Sequence, residues 1–132
     1  MKPIIDGPAI LCVDDETTGL AIRKMTLESQ GYRVRTAENG AVGLAIFSSQ
    51  SIDLVILDYM MRGMNGDVVA EKMKSLKPAV PILLLSAYVD LPSETLAPVD
   101  MYLTKGEGAQ MMLKAVEELL IGARTSKAAL GL

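Results

Sequence analysis

Two apolar runs, each leading into aspartate, constrain the fold of this chain most. Residues 9–13 read Ala-Ile-Leu-Cys-Val and lead into Asp14 and Asp15, and residues 52–57 lead into Asp58. Short, strongly apolar runs of this kind are typical of central strands in a parallel sheet, where helices cover both faces. Because the carboxyl ends of parallel strands meet at one edge of the sheet, we expect the three aspartates to gather there.

The rest of the chain alternates between strand and helix patterns. Five segments are predicted to be strands: residues 9–13, 32–36, 52–57, 82–85 and 101–104. Helices are predicted between them and after the last one, and the helix over residues 91–97 is expected to be short or irregular. This alternation predicts an α/β fold with a doubly wound, five-stranded parallel sheet in the order 2-1-3-4-5 and helices on both faces.

Local signals predict where the first two helices begin and how they pack. Thr17 or Thr18 can cap the first helix, which is expected to end near residue 30, before Gly31 in a left-handed conformation. The second helix is expected to open at residues 39–40. Gly40 and Gly43 share one side of it, so this helix can lie close to the sheet.

Length and composition are those of one domain. The chain has 132 residues, of which 50% are apolar, so it can bury a core without a disulfide or a structural metal. We expect a single domain over residues 1–132, with a core at about 9–121 and a frayed tail over 122–132. The only cysteine, Cys12, lies inside an apolar run and is interpreted as a buried structural thiol.

Composition also excludes several kinds of function. The chain has no histidine, which makes serine-type triads and zinc hydrolase sites poor candidates and means that it cannot carry phosphohistidine itself. Net charge is −3 with scattered Lys and Arg, so direct nucleic-acid binding is not expected. The apolar segment 79–89 is too short to cross a bilayer and the first residues do not begin a signal peptide, so we expect a soluble, cytoplasmic protein without membrane insertion.

Reactive side chains follow four of the predicted strands. Asp14 and Asp15 follow the first, Asp58 the third, Ser86 the fourth and Lys105 the fifth. Three neighbouring carboxylates raise one another's pKa, and Mg²⁺, which prefers oxygen ligands, relieves that repulsion. One carboxylate beside Mg²⁺ can act as a nucleophile toward phosphorus. We therefore expect Asp58 to accept a phosphoryl group whose oxygens contact Lys105 and Ser86, with Asp14 and Asp15 holding the ion.

These residues resemble the receiver domain of two-component response regulators, whose fold is CheY-like and flavodoxin-like. The resemblance covers residue 10 to about residue 120 and rests on these motifs: Leu11-Cys12-Val13-Asp14-Asp15-Glu16, Leu54-Val55-Ile56-Leu57-Asp58-Tyr59-Met60-Met61, Gly66, Leu84-Leu85-Ser86-Ala87 and Tyr102-Leu103-Thr104-Lys105. It implies a signalling phosphoacceptor rather than an enzyme of another class. Asp58 would take its phosphoryl group from a phosphohistidine on a sensor histidine kinase or a histidine phosphotransfer protein.

The resemblance also implies roles that the residues alone do not. Met60 would give Mg²⁺ its backbone carbonyl. Ser86 and Tyr102 would move together on phosphorylation and signal to a downstream protein partner. Such a domain without an output domain acts as a phosphate shuttle or a diffusible regulator, and a homodimer through the last helix and fifth strand stays an open alternative.

Three features depart from the pattern of that family. Arg62 and Gly106 stand where such domains usually carry proline, and the interval from Ser86 to Lys105 is short at 105 − 86 = 19 residues. The glycine leaves the loop at Lys105 freer, and the short interval predicts an abbreviated fourth helix. Tyr88 is hypothesised to overhang the pocket and slow attack by water on the acyl phosphate.

Each site residue also has a plainer interpretation. Asp14 could cap a helix, Ser86 could bond only to backbone, and Tyr102 could be a fixed core aromatic instead of a switch. Glu16 is expected to begin the first helix rather than assist the ion. At the level of the whole chain, the main alternative is a receiver-like interaction module that acts without phosphorylation, while flavin binding and haloacid-dehalogenase-like chemistry lack their motifs here.

Overall fold

The computed structural model describes residues 7–88 and 90–129. Its strands and helices, in chain order, are β1 (Ala9–Val13), α1 (Thr17–Glu28), β2 (Arg33–Ala37), α2 (Gly40–Ser49), β3 (Leu54–Asp58), α3 (Gly66–Leu76), β4 (Ile82–Ser86), α4 (Ser93–Leu96), β5 (Met101–Thr104) and α5 (Gly108–Ala129). A short 3₁₀ helix, Lys105–Glu107, joins β5 to α5.

The five strands form one parallel sheet in the order β2-β1-β3-β4-β5, as the sequence pattern predicts. Its register sets the strand ends nearly level: Val13 pairs with Leu57, Asp58 with Leu85, and Ser86 with Thr104. The residues that follow these pairs therefore emerge at a single edge of the sheet.

The sheet separates two apolar layers, and successive residues of each central strand alternate between them. One layer lies under α2 and α3 and includes Phe47, Val69 and Met73. The other lies under α1 and α5 and includes Leu27, Val116 and Cys12. Burial raises the pKa of the Cys12 thiol to about 12, which fits its interpretation as an unreactive core residue.

Helix α1 begins one residue earlier than the threonine signals predict. Glu16 is its N-cap, and its carboxylate accepts the N–H groups of Thr18 at 3.1 Å and Gly19 at 2.7 Å. The prediction of a Thr17 or Thr18 cap was therefore wrong, because a carboxylate beside the helix start satisfies two free N–H groups at once. Gly31 does adopt the left-handed conformation after α1, with φ of 92°.

The two glycines of α2 allow close packing, in two different directions. A methyl group on Gly43 would lie 2.9 Å from Val13 Cγ2 in the sheet, whereas one on Gly40 would lie 2.7 Å from Val69 Cγ2 of α3. The expected approach to the sheet is thus made by Gly43, and Gly40 admits the neighbouring helix.

Residues 122–129, which belong to the predicted frayed tail over 122–132, are helical, and residues 130–132 lie outside the described residues. Helix α5 continues through Gly122 to Ala129, since residues such as Ala123 and Arg124 are strong helix formers. Helix α4 has only 4 residues, in agreement with the short fourth helix that the sequence predicts. Within the part of the chain that the structure describes, none of the helices has the length and apolar character needed to cross a bilayer.

A matched pair of substitutions tests the packing of α2. Gly43→Ala should lower the free energy of unfolding by about 1 kcal/mol, because the clash with Val13 outweighs the gain in helix propensity. Gly122→Ala, in α5 with open space around it, should raise that free energy by about 0.5–1 kcal/mol. Urea unfolding measures both, and equal stabilisation by the two changes would contradict the close packing of α2.

Candidate functional site

Three carboxylates meet at the carboxyl edge of the sheet. Asp14 and Asp15 follow β1, Asp58 ends β3, and one oxygen from each lies within 4.8 Å of the others. Asp14 is fully buried and Asp58 is 6% exposed, while Asp15 is half-buried. The register of β1 and β3 brings them together, so the pocket is a direct product of the sheet topology.

Lys105 directly follows the edge strand β5, and its side chain extends into this pocket. Its Nζ lies 2.8 Å from Asp58 Oδ1 and 3.2 Å from Asp14 Oδ2, so one ammonium bridges two carboxylates. The backbone that carries it is shaped by a capping box, in which Glu107 accepts the N–H and hydroxyl of Thr104. The 3₁₀ turn that includes Gly106 therefore has a local hydrogen-bond anchor in place of a proline.

Arg23 is a site residue that the sequence interpretation missed. Its Nη1 lies 3.3 Å from Asp14 Oδ2, and only 11% of its side chain is exposed. The available signal was its spacing, since Arg23 lies three residues after Leu20 and four before Leu27, on the buried stripe of α1. A charged residue on such a stripe needs a buried partner, and Asp14 is that partner.

Arg62 contacts the third carboxylate. Its backbone N–H donates to Asp15 Oδ2 at 2.9 Å, and its Nε lies 3.4 Å from the same oxygen. The side chain is 90% exposed, so the guanidinium stands at the mouth of the pocket rather than inside it.

Burial and charge act in opposite directions on the groups of the pocket. Burial raises the pKa of Asp58 to about 6; the charge of Asp14 adds to this effect, and Lys105 opposes it. Burial also disfavours the charge on Asp14, but the Glu16 N–H, Lys105 and Arg23 together hold its pKa below the ordinary value. Burial would lower the pKa of Lys105, yet Asp58 and Asp14 raise it overall. The Lys105 ammonium is therefore firmly charged beside the Asp58 carboxyl, which ionises reluctantly.

Ser86 ends β4 and Tyr102 lies in β5, and both contact Tyr88 in the loop after β4. Ser86 is 1% exposed, and its Oγ accepts the N–H of Tyr88 at 3.0 Å. The Tyr102 hydroxyl donates to the Tyr88 carbonyl, which ties β5 to this loop. The Tyr88 hydroxyl lies 3.7 Å from Met60 Sδ, so its ring spans from β4 to the loop after Asp58.

Gly66 fixes the backbone on the other side of Asp58. A methyl group at this position would lie 2.3 Å from the Asp58 carbonyl oxygen, and the Gly66 N–H donates to the Tyr59 carbonyl at 2.6 Å. Only glycine permits α3 to begin so close to the end of β3.

The donor set of the pocket fits a hard cation. Asp14, Asp15 and Asp58 offer only carboxylate oxygens, and the Met60 carbonyl belongs to the loop that directly follows Asp58. Oxygen donors of this kind suit Mg²⁺, and the position of the Lys105 ammonium shows that the pocket already attracts positive charge.

The sequence matches the family model of the response regulator receiver domain over residues 10–117. The chain belongs to this family. Its members are receiver domains of two-component response regulators.

Known receiver domains share both its sequence and its fold. The chain is 32% identical over 114 residues to the transcriptional regulatory protein GlrR of Escherichia coli, covering 84% of this chain and 26% of that protein. It therefore spans about a quarter of the length of this curated relative. A CheY-like receiver domain from Methanospirillum hungatei superposes with a TM-score of 0.86 and 27% identity, covering 92% of this chain and 99% of the other.

A receiver from Thermotoga maritima, the response regulator TrrA, is also similar. In its complex with Mg²⁺-BeF it superposes with a TM-score of 0.81 and 36% identity, covering 85% of this chain and 98% of TrrA. TrrA has also been crystallised with the histidine kinase ThkA, and that structure matches with a TM-score of 0.80.

The raised pKa of Asp58 predicts how stability depends on pH without metal. The folded state favours the protonated form of Asp58. Its contribution to the free energy of unfolding is therefore greatest below the unfolded pKa near 4 and is lost as pH rises through about 6. Asp58→Asn removes this loss of stability, because asparagine does not ionise. Relative to the parent, the variant should gain about 1–2 kcal/mol between pH 4 and pH 7 in EDTA, as measured by urea unfolding. A difference that does not change with pH would contradict the raised pKa.

Proposed function

We propose that this chain is a phosphorylation-switched receiver in a two-component phosphorelay, with Asp58 as its phosphoacceptor. The observation that carries the proposal is the contact of the Lys105 ammonium with both Asp58 and Asp14 inside a cluster of three carboxylates. This arrangement joins a nucleophilic oxygen to a fixed positive charge and a set of cation ligands, as phosphoryl transfer requires.

In the proposed reaction, an Asp58 oxygen attacks the phosphorus of a phosphohistidine. The new oxygen–phosphorus bond forms as the phosphorus–nitrogen bond breaks, and the departing imidazole takes up a proton. Lys105 already lies 2.8 Å from Asp58, where it can neutralise a phosphoryl oxygen. The buried Ser86 hydroxyl stands at the end of the neighbouring strand β4 and can donate to another phosphoryl oxygen.

Asp14, Asp15, Asp58 and the Met60 carbonyl are the proposed Mg²⁺ ligands. The ion, when bound, would neutralise charge on the phosphoryl group. The proposal is supported by the all-oxygen donor set of this chain and by the Mg²⁺-BeF complex of the similar receiver TrrA.

The proposed phosphoryl donor is a sensor histidine kinase or a histidine phosphotransfer protein. The complex of TrrA with the kinase ThkA supports a partner of this class. The proposed output passes through Ser86 and Tyr102. The Tyr102 hydroxyl bonds to the Tyr88 carbonyl, and the Tyr88 N–H bonds to Ser86 Oγ, so a shift of the serine hydroxyl toward a phosphoryl group would disturb both contacts.

Intact mass spectrometry tests phosphoryl acceptance. After incubation with Mg²⁺ and acetyl phosphate, the parent should gain the mass of one phosphoryl group, and Asp58→Asn should gain none, because the amide is a poor nucleophile. Lys105→Met should reduce the rate of adduct formation by about tenfold or more through loss of charge stabilisation.

The control for that experiment is the folded state of each protein, followed by circular dichroism. A folded parent that binds Mg²⁺ yet gains no mass would overturn the proposal and favour an interaction module that acts without phosphorylation. An adduct of equal yield on Asp58→Asn would show that a residue other than Asp58 accepts the phosphoryl group.

Tyr88 is expected to slow hydrolysis of the acyl phosphate. Its ring is 48% exposed and reaches Met60 Sδ across the mouth of the pocket, so it can obstruct the approach of water. Tyr88→Ala should therefore increase the dephosphorylation rate severalfold. Loss of radiolabelled phosphate from the isolated phosphoprotein measures this rate.

Tyr88→Phe is the matched control, because it keeps the ring and removes only the hydroxyl. Backbone contacts of this residue to Ser86 and Tyr102 are retained in both variants. The phenylalanine variant should dephosphorylate at nearly the parent rate, and an unchanged rate in Tyr88→Ala would remove the shielding role.

A further inference from the structure

The acidic pocket carries its own set of counter-charges. Each of the three carboxylates contacts a cationic side chain: Asp14 contacts Lys105 and Arg23, Asp58 contacts Lys105, and Asp15 contacts Arg62. Three carboxylates thus meet three cations. Carboxylates that repel one another attract a divalent cation. Here the side chains of the protein already offset most of that negative charge.

Arg62 is the most accessible of these cations and the one closest to solvent. Its side chain is 90% exposed, whereas that of Arg23 is 11% exposed and that of Lys105 is 33% exposed. An exposed arginine can leave its partner at little cost, because water replaces the lost contact. Arg62 can therefore alternate between Asp15 and solvent without disturbing the core.

Two groups of Arg62 converge on a single oxygen. The backbone N–H lies 2.9 Å and the side-chain Nε 3.4 Å from Asp15 Oδ2. The resemblance to receiver domains implies proline at this position, and proline has neither an N–H nor a charge. This chain therefore restrains Asp15 with two donors that the usual residue cannot supply.

We propose that Arg62 is a tethered competitor for the divalent cation, which lowers the Mg²⁺ affinity of the pocket by contacting Asp15. This inference rests on the proposed function, because it concerns the same metal ligands. The guanidinium opposes the approach of a cation by charge and occupies one ligand oxygen by hydrogen bonding. Phosphoryl acceptance would then respond to Mg²⁺ over a higher concentration range than it would with proline at this position.

The charge of Arg62 can be tested by direct titration of Mg²⁺ without a phosphodonor. The ¹⁵N-labelled chain of 132 residues is titrated with MgCl₂ at low ionic strength, and the amide resonances of Glu16 and Tyr59 report occupancy of the site. Arg62→Ala should tighten the Mg²⁺ dissociation constant by about three- to tenfold, as expected for removal of an exposed unit charge beside a ligand. Arg62→Lys, which keeps the charge, should remain close to the parent.

Two further variants separate the local effect from general ones. Arg62→Pro removes the N–H as well as the charge, and should bind Mg²⁺ at least as tightly as Arg62→Ala. Arg124→Ala makes the same change in net charge near the opposite edge of the sheet, where Arg124 and Pro81 line one cavity, and it should leave the dissociation constant unchanged. Unfolding midpoints in EDTA verify that each variant is folded.

The outcomes distinguish this inference from the proposed function. A dissociation constant for Arg62→Ala equal to or weaker than that of the parent would overturn the competitor role, while phosphoryl acceptance by Asp58 would be judged separately from the mass adduct. An equal decrease of the Mg²⁺ dissociation constant in Arg124→Ala would also overturn the competitor role of Arg62, since the effect would then reflect net charge alone. Absence of Mg²⁺ binding in every protein would overturn both this inference and the metal-dependent part of the proposed function.

Discussion

The bridge from Lys105 to Asp58 and Asp14 is the interaction on which the rest of the site depends. These carboxylates follow adjacent strands, and without a cation between them their repulsion would oppose formation of the sheet edge. The lysine lies 91 residues after Asp14, at the end of the outermost strand β5. Completion of the sheet and neutralisation of the pocket are therefore coupled, because each requires β5 to be in place.

The pocket retains some unfavourable energy despite that bridge. Asp58 ionises reluctantly because it is buried beside Asp14, whereas Asp14 is held in its charged form by three donors. Two similar acids in one pocket thus behave differently, and an added positive charge near Asp58 would favour its ionised form. Perturbed groups of this kind are concentrated at functional sites, where stability is given up for reactivity.

The sequence predicted the sheet order and the meeting of the strand ends, because apolar runs, glycines and strand-end residues are local signals with a direct structural meaning. It placed Glu16 at the start of α1 but assigned the cap to Thr17 or Thr18, since a carboxylate and a threonine hydroxyl compete for the same N–H groups. Arg23 and Arg62 were not assigned to the pocket because the reach of a long side chain depends on packing, not on spacing alone. Helix α5 is longer than the sequence predicts, because the helix formers on either side of Gly122 outweigh the low helix propensity of that glycine.

The contact of Gly66 with the Asp58 backbone also limits how this protein can diverge. The start of α3 and the end of β3 touch with no space for a side chain, so the intervening residues 59–65 form a loop with two fixed ends. Substitutions within that loop can be accepted because they leave both ends in place. An insertion or deletion there would move either β3, which carries Asp58, or α3. We therefore expect homologues of this chain to differ in the identity of residues 59–65 rather than in the number of residues in this loop.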